Sequence, residues 1–338
     1  MREANLGSPQ NTIKILQKYN FNFQKKLGQN FLIDNHVIDK IIQGAKITKE
    51  DCVLEIGAGI GTLTGHLSIA AKKVIAVEID QALIPILDET LAGYENTKVI
   101  HKDILKLDIE ALVREENDGE PIKVVGNLPY YITTPIMMGL LESDVPLKSM
   151  TVMVQKEVAT RMSALPGNKN YGALSLAVQY YAKPYLVANV PPNCFIPRPK
   201  VGSAVIRLDK FLVSPFQVED QELMFRLIRA SFNQRRKTLV NGIFNFEGFD
   251  YSKEEVERAV EKLGRGKGIR GESLTLEEFG RLADELTSLR NGKEGLTTVK
   301  EKIPKEKETI KFTKSQADKK EKGAENGKIY PNEKPISF

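Results

Sequence analysis

The sequence predicts an α/β fold: an open, mainly parallel sheet covered by helices on both faces, followed by a small all-helical region at the C-terminal side. Three observations predict it. Short Val/Ile-rich runs alternate with helical patterns from about residue 36 to 160, and strands that are apolar throughout belong to sheets buried on both faces. A glycine-rich turn separates the first such run from the first helical pattern, where open α/β sheets place their ligand loops. Past about residue 212 the strand-like runs stop and helical patterns take over.

Taken in order, residues 1–20 are predicted to be an N-terminal extension. It lacks the basic-then-apolar pattern of a secretory leader. Residues 12–31 form a basic, aromatic arm in which Lys14, Lys18, Tyr19, Phe21, Phe23, Lys25 and Lys26 lead into Gly28-Gln29-Asn30-Phe31-Leu32. The predicted strands are Cys52-Val53-Leu54-Glu55-Ile56, Val74-Ile75-Ala76-Val77-Glu78, Val99-Ile100, Ile122-Lys123-Val124-Val125 and Met150-Thr151-Val152-Met153-Val154, with helices such as 62–71 and 81–91 between them. Two later strand-like segments, 185–190 and 204–208, flank a Pro-rich loop and predict an antiparallel edge. From Val213-Ser214-Pro215 the pattern becomes helical, over 219–246 and 252–289. Beyond about Arg290 the chain is rich in Lys and Glu and short of aromatics, too polar to offset its ordering entropy, so disorder is expected there. The predicted organisation is therefore an extension at 1–20, an α/β domain at 21–212 that begins with the arm, a helical domain at 213–290 and a charged tail at 291–338.

Composition narrows the function classes. No apolar run approaches the roughly 20 residues that cross a bilayer, so no membrane partner is expected. Cys52 and Cys194 are the two cysteines of the chain; they provide no disulfide framework and fit a reducing, cytoplasmic setting as buried, core-filling groups. The three histidines are scattered and no Cys/His spacing suggests a metal. A net charge of +5 leans toward a polyanionic partner, but placement of the charge decides more than its sum.

The turn reads Glu55-Ile56-Gly57-Ala58-Gly59-Ile60-Gly61. Dinucleotide enzymes place G-x-G-x-x-G at the same point, whereas here Thr62 stands where that motif needs its last glycine. An acid two positions before Gly57 suits a cationic ligand with an amino-acid end, not a pyrophosphate. Glu78 ends the second strand and can accept ribose hydroxyl protons. Asp103 follows the third and can accept from an adenine amine, with Ile79 and Ile104 on the two faces of the ring. Acids at successive strand ends describe a nucleoside pocket, and the ligand they predict is S-adenosyl-L-methionine.

Asn127-Leu128-Pro129-Tyr130 follows the fourth strand. An aromatic amine is a poor nucleophile because its lone pair is delocalised. The Asn127 side-chain oxygen and the Leu128 carbonyl can hold its two N–H groups and favour a tetrahedral nitrogen, a positioning and electrostatic effect. Pro129 stiffens the turn and brings no competing N–H. Tyr130 offers a face for an extruded base, worth roughly 1–3 kcal/mol per base.

These blocks, together with Leu27-Gly28-Gln29-Asn30-Phe31-Leu32, Gln155-Lys156-Glu157-Val158, Tyr171-Gly172, Phe195-Ile196-Pro197-Arg198-Pro199-Lys200-Val201 and Phe232-Asn233-Gln234-Arg235-Arg236-Lys237-Thr238-Leu239, resemble the ribosomal RNA adenine N6-dimethyltransferases, most of all the bacterial small-subunit type. The resemblance covers roughly residues 20–290. It implies a Rossmann-like S-adenosylmethionine-dependent methyltransferase sheet with a helical C-terminal domain, acting as a monomer on 16S rRNA in a small-subunit assembly intermediate. The implied reaction dimethylates two adjacent adenosines of a hairpin loop near the 3′ end of that RNA. Carried over by motif, Asn30, Leu32, Gly57, Glu78, Asp103 and Asn127 would hold the cofactor, and Tyr130 and Phe195 would clamp the target adenine. Tyr131 departs from the family, which usually has Asn there. Two alternatives stay open: a large-subunit 23S rRNA enzyme of the macrolide-resistance type, whose sequences resemble S-Q-N-F and N-I-P-Y, and an assembly factor whose catalysis is secondary.

For RNA binding, an unbroken helix from Glu222 would place Arg226, Arg229, Arg236 and Lys237 within about 100° of arc. With Arg235 they would make a phosphate-tracking stripe beside the site. Lys25, Lys26, Lys156 and Arg161 could extend it.

Overall fold

The alternating pattern folds as a seven-stranded sheet. The structure, a computed structural model, describes residues 6–294 of the chain. Its elements are α1 (Pro9–Lys18), β1 (Phe31–Leu32), α2 (Asn35–Gly44), β2 (Cys52–Ile56), α3 (Thr62–Ala70), β3 (Lys73–Glu78), α4 (Ile84–Thr90), β4 (Thr97–His101), α5 (Ile109–Asn117), β5 (Ile122–Asn127), α6 (Thr133–Glu142) and β6 (Leu147–Gln155). They continue with α7 (Lys156–Met162), α8 (Ala173–Tyr181), β7 (Ala182–Val190), β8 (Phe195–Ile196), β9 (Ser203–Lys210), α9 (Gln221–Asn233), α10 (Leu239–Phe244), α11 (Lys253–Lys262) and α12 (Leu276–Glu294).

The strand order is β4-β3-β2-β5-β6-β9-β7. The pairings among β4, β3, β2, β5 and β6 are parallel, while β9 inserts antiparallel between β6 and β7. The expected antiparallel edge at 185–190 and 204–208 is therefore present, with the later strand on the inside. Alternate residues of one strand face opposite layers. Leu54, Ile56, Val124 and Val152 pack with Ile136, Met137 and Leu140 of α6, whereas Val53, Val74, Val125 and Met153 pack with Val37, Ile38 and Ile41 of α2 and with Leu67 of α3. Both cysteines are buried, Cys52 in the first of these cores and Cys194 in the second.

The helical region builds a third core. Leu227, Ile228, Val240, Val256, Phe279 and Leu282 pack with Tyr171, Leu176 and Tyr180 from the sheet side of the chain. The Tyr171 hydroxyl donates to the Leu274 carbonyl at 2.9 Å. Two predicted long helices are each divided. The first ends at Asn233, because Gln234 leaves helical geometry (φ −125°, ψ 64°), and Thr238 starts a new helix by accepting the Asn241 N–H. The second is interrupted after Lys262, in a stretch holding Gly264 (φ +73°), Gly266 and Gly268. It resumes at a capping box in which the Glu278 carboxylate accepts the Thr275 N–H and the Thr275 hydroxyl accepts the Glu278 N–H.

Within the predicted extension at 1–20, Pro9 follows Ser8 at the first turn of a helix. Thr12 and Leu16 of that helix are buried, and Leu16 packs with Ile60, Leu83 and Ile86 of the sheet unit. Described residues 6–289 belong to one compact unit, and residues 290–294, the end of α12, belong to a second. The rest of the predicted tail lies outside the described residues. No helix among the described residues is long and apolar enough to cross a membrane.

Close approach of β2 and β5 is a requirement of this architecture. A Cβ on Gly126 would lie 2.7 Å from the Ile56 carbonyl oxygen, so any side chain forces the central strands apart. Gly126→Ala is expected to cost about 1–3 kcal/mol. Urea unfolding should show a lower midpoint with an unchanged slope; an unchanged midpoint would show that the strands yield freely.

Candidate active site

Strand order and register bring the predicted residues together. The chain runs outward from β2 through β3 to β4, then returns to β5 on the other side of β2, and such a switch leaves a crevice at the carboxyl ends of the strands. Ile56 pairs with Gly126 and with Val77, so Gly57, Asn127 and Glu78 end side by side. A Cβ on Gly57 would lie 3.7 Å from the Asn127 carbonyl oxygen. Glu78 pairs with His101, which puts Asp103 just past the next strand. Asp103 stands half-buried at the rim, its carboxylate accepting the Leu105 N–H at 3.0 Å and lying 3.7 Å from the Lys106 ammonium.

The glycine turn is an unsuitable anion cradle. Gly57 and Ala58 donate to the Val77 carbonyl at 2.9 and 3.3 Å, Gly61 donates to Ala58 at 3.0 Å, and Gly59 donates to the Glu78 carboxylate at 2.8 Å. Four N–H groups of the turn, those of Gly57, Ala58, Gly59 and Gly61, are thus engaged within the protein. Acids flank the turn instead. Glu78 also accepts the Ile79 and Asp80 N–H groups, each at 2.9 Å; burial raises its pKa while these three bonds pull against it. Glu55 is buried, and one of its carboxylate oxygens, Oε2, has no hydrogen-bond partner. Burial pushes its pKa up to about 8, opposed by Thr64 and reinforced by Glu78, so it is predominantly the neutral acid at pH 7. This set, with acids on both sides of the turn and the amides of its three glycines engaged, fits S-adenosylmethionine.

At the catalytic turn the Asn127 side-chain N–H donates to the Asn30 carbonyl at 2.8 Å. A carbonyl only accepts, so the amide nitrogen must face Asn30 and the amide oxygen is left for another donor. The Leu128 side chain is anchored in the core, which fixes its carbonyl. The Pro129 carbonyl accepts the Ile132 N–H and the Thr133 hydroxyl. Tyr130 is held by its hydroxyl, 2.7 Å from the Ser203 hydroxyl on β9. Burial raises its pKa against the Ser203 bond, so the phenol remains neutral. Tyr131 is 58% exposed and covers the turn at Gly28, where a Cβ would lie 3.5 Å from its ring and 3.6 Å from Pro129.

The arm is latched over the site by residues that the sequence reading missed. Gln24 and Gln29 donate through their side chains to the two oxygens of buried Asp80, at 2.8 and 2.5 Å. The Gln24 N–H in turn donates to the Gln29 side chain at 2.8 Å. The same Asp80 carboxylate accepts the Ala82 N–H at 3.0 Å. Asp80 lies two residues past Glu78, and its signal was an acid in the strand-end turn opposite two glutamines of the arm. Further along, β1 pairs antiparallel with β8, Leu32 opposite Phe195.

That pairing corrects one expectation. Phe195 is 1% exposed and packs with Leu32, Met153 and Val205, so its ring presents no open face to a base. Leu32 is likewise buried, and any contact it makes with a cofactor is through its backbone. A second correction concerns the basic stripe. The helix stops at Asn233, leaving Arg235, Arg236 and Lys237 in the following turn. Half-buried Arg226 donates to the Gly248 carbonyl, with its guanidinium 4.7 Å from the centre of the Phe249 ring. Burial raises the pKa of Glu142, and half-buried Arg229 opposes that rise with its charge. Arg235 donates to the Lys169 carbonyl and pairs with Glu272, both at 3.0 Å. These are holding contacts. Arg236 and Lys237 are exposed, with no side-chain hydrogen bond or ion pair among the described residues.

Residues 20–273 match the sequence profile of the ribosomal RNA adenine dimethylase family. The chain is similar to the ribosomal RNA small subunit methyltransferase A of Lachnoclostridium phytofermentans, 62% identical over 83% of this chain and 97% of that one. It is also similar to the protein of the same name from Clostridioides difficile, 50% identical over 82% and 96%. Among solved structures, a dimethyladenosine transferase from Plasmodium falciparum superposes with a TM-score of 0.64 at 29% identity, covering 78% of this chain and 98% of that one. The 23S rRNA methyltransferase ErmE gives 0.60 at 28%, covering 76% and all of its chain.

Two expectations follow from the site's geometry. Asp80→Ala unlatches the arm and should weaken S-adenosylmethionine binding about tenfold while the protein stays folded, measured by calorimetry beside a melting curve; an unchanged affinity would separate the arm from the cofactor site. Glu55 has its folded pKa raised from 4.5 to about 8, so the stability it contributes is complete below pH 4.5 and is lost as pH rises toward 8. Glu55→Gln should abolish that loss, on the order of a few kcal/mol, so that its melting temperature exceeds the wild type's increasingly from pH 5 to 8. Parallel curves for the two proteins would refute the buried neutral acid.

Proposed function

Because the chain belongs to the ribosomal RNA adenine dimethylase family, we propose that it transfers methyl groups from S-adenosylmethionine to the N6 amines of two adjacent adenosines in a hairpin loop near the 3′ end of 16S rRNA. The observation that carries this reading is the register at the centre of the sheet, which sets the Asn127–Tyr130 turn against the Gly57 turn and its acids. When bound, the cofactor supplies an electrophilic methyl group on a sulfonium. Gly57, Glu78, Asp103 and the backbone at Asn30 and Leu32 would hold it, and Glu78 and Asp103 add negative charge near a cationic ligand.

The protein's part in the chemistry is positioning. Asn127 Oδ1 and the Leu128 carbonyl accept the two N–H groups of the target amine. They also stabilise the positive charge that develops on nitrogen as it attacks. Neutral Tyr130, fixed through Ser203, serves as a stacking face and not as a base. The latched arm excludes water from one side of the reacting atoms.

We assign residues 21–212 to catalysis and 213–290 to the RNA, with Arg236 and Lys237 as the cations of the turn that reach phosphate. The partner we propose is a small-subunit assembly intermediate, met by a monomer in the cytoplasm. Identities of 50–62% over nearly the full length of small-subunit methyltransferases support this choice over the 23S enzyme, at 28%.

Asn127→Ala tests the reading. It should lower transfer to small-subunit RNA at least about 100-fold while leaving cofactor affinity within about tenfold, or ~1.4 kcal/mol. Mass mapping of methylated adenosines is the readout, and full methylation by the variant would reject the assigned role.

A further inference from the structure

A cavity of about 380 Å³ lies beside the catalytic turn and takes no part in the chemistry described above. That volume is within the range of small-ligand sites. One wall is Gln155 and Lys156, where β6 passes into α7, with Val201 and Gly202 just before β9; the other is Lys169 and Asn170, in the loop before α8. Its position is fixed by register. Gln155 pairs with Ser203, and the Ser203 hydroxyl is 2.7 Å from that of Tyr130. Paired residues of antiparallel strands stand about 5 Å apart, so one wall of the cavity is the strand neighbour of the residue that holds Tyr130.

Its lining is chemically matched to a ribonucleotide. The ammonium groups of Lys156 and Lys169 are exposed and make no hydrogen bond or ion pair among the described residues. By contrast, Lys73, Lys98 and Lys123 of the same sheet unit are all ion-paired. Gln155 and Asn170 can both donate and accept at a base edge, Val201 is 46% exposed and offers an apolar surface, and Glu157 can accept a ribose 2′-hydroxyl. The far wall is preorganised. Arg235 holds the Lys169 carbonyl and pairs with Glu272, and the Glu272 carbonyl accepts the Gly167 N–H at 2.8 Å.

The geometry points to a second nucleotide site: this cavity receives the ribonucleotide flanking the adenosine held at Asn127, with its phosphate between Lys156 and Lys169. The inference rests on the reading that the acceptor is an adenosine within RNA. Arg235 is then a positioning residue that fixes a wall of the cavity.

The test compares Lys156→Gln/Lys169→Gln with a charge-matched control, Lys49→Gln/Lys72→Gln. The control lysines lie before β2 and β3, at the opposite end of the sheet. Binding of a fluorescein-labelled single-stranded oligoribonucleotide containing two adjacent adenosines is followed by anisotropy with saturating S-adenosylmethionine. The cavity variant should bind about tenfold more weakly and show a salt dependence shallower by about 0.7 for each phosphate it no longer neutralises, while the control stays within about twofold. With unmethylated small subunits its KM should rise and its kcat should hold within about twofold. Wild-type affinity in the cavity variant, or equal weakening in both variants, would overturn the site. A wild type inert in transfer that still shows the selective binding loss would reject the acceptor reading and leave the cavity assigned.

Discussion

The closeness of β2 to β5 is the constraint on which the rest of the structure depends. These neighbouring parallel strands diverge at the switch point, and the turns that leave them carry the two halves of the site we propose. The register sets the Gly57 turn, assigned to the cofactor, beside the Asn127 turn, assigned to the acceptor. Gly126 is needed because a side chain there would strike the Ile56 carbonyl. A methyl donor and an amine must meet within a few ångströms, and a rigid sheet sets that distance more reliably than loops could.

Around this axis the protein uses its polar groups to restrain loops. The amides of the glycine turn are satisfied by Val77, Ala58 and Glu78, which leaves the turn rigid and bordered by acids. Asp80 performs the corresponding task for the arm through Gln24 and Gln29. The Asn127 side chain connects the two systems, since its N–H holds Asn30 of the arm and leaves its oxygen for the acceptor amine we propose. Closing the arm and orienting the catalytic amide are thus one event. The pH behaviour of Glu55 follows from the same tight enclosure, because a carboxyl shut in the core beside Glu78 is favoured as the neutral acid.

The basic residues divide into two groups with different work. Arg226 and Arg235 are engaged by backbone carbonyls, an aromatic ring and Glu272, and they bind helices and loops to one another. Lys156, Lys169, Arg236 and Lys237 have no such partners among the described residues and are placed for a polyanion. The first group shapes surfaces on which the second group can act, and the hydrogen bond from Arg235 to the Lys169 backbone is the point where they meet.

Much of the fold and part of the site were legible in the residues alone. The buried strands, the antiparallel edge, the glycine turn, the strand-end acids and the Asn127–Tyr130 turn announce themselves through local pattern, because period, glycine placement and strand-end position are short-range properties. The helix at Pro9–Lys18, the break at Gln234, the burial of Phe195 and the Asp80 latch were not legible. Each depends on what a residue meets from a distant part of the chain: Leu16 on Ile60, the turn after Asn233 on Ile269 and Glu272, Phe195 on Leu32, and Asp80 on Gln24 and Gln29. The sequence by itself determined the chemistry that can be done, through residue types held at fixed spacing. Only the tertiary structure decided which aromatic faces the site, which cations are already engaged and what holds the arm closed, since burial and pairing are properties of contacts between segments far apart in the chain.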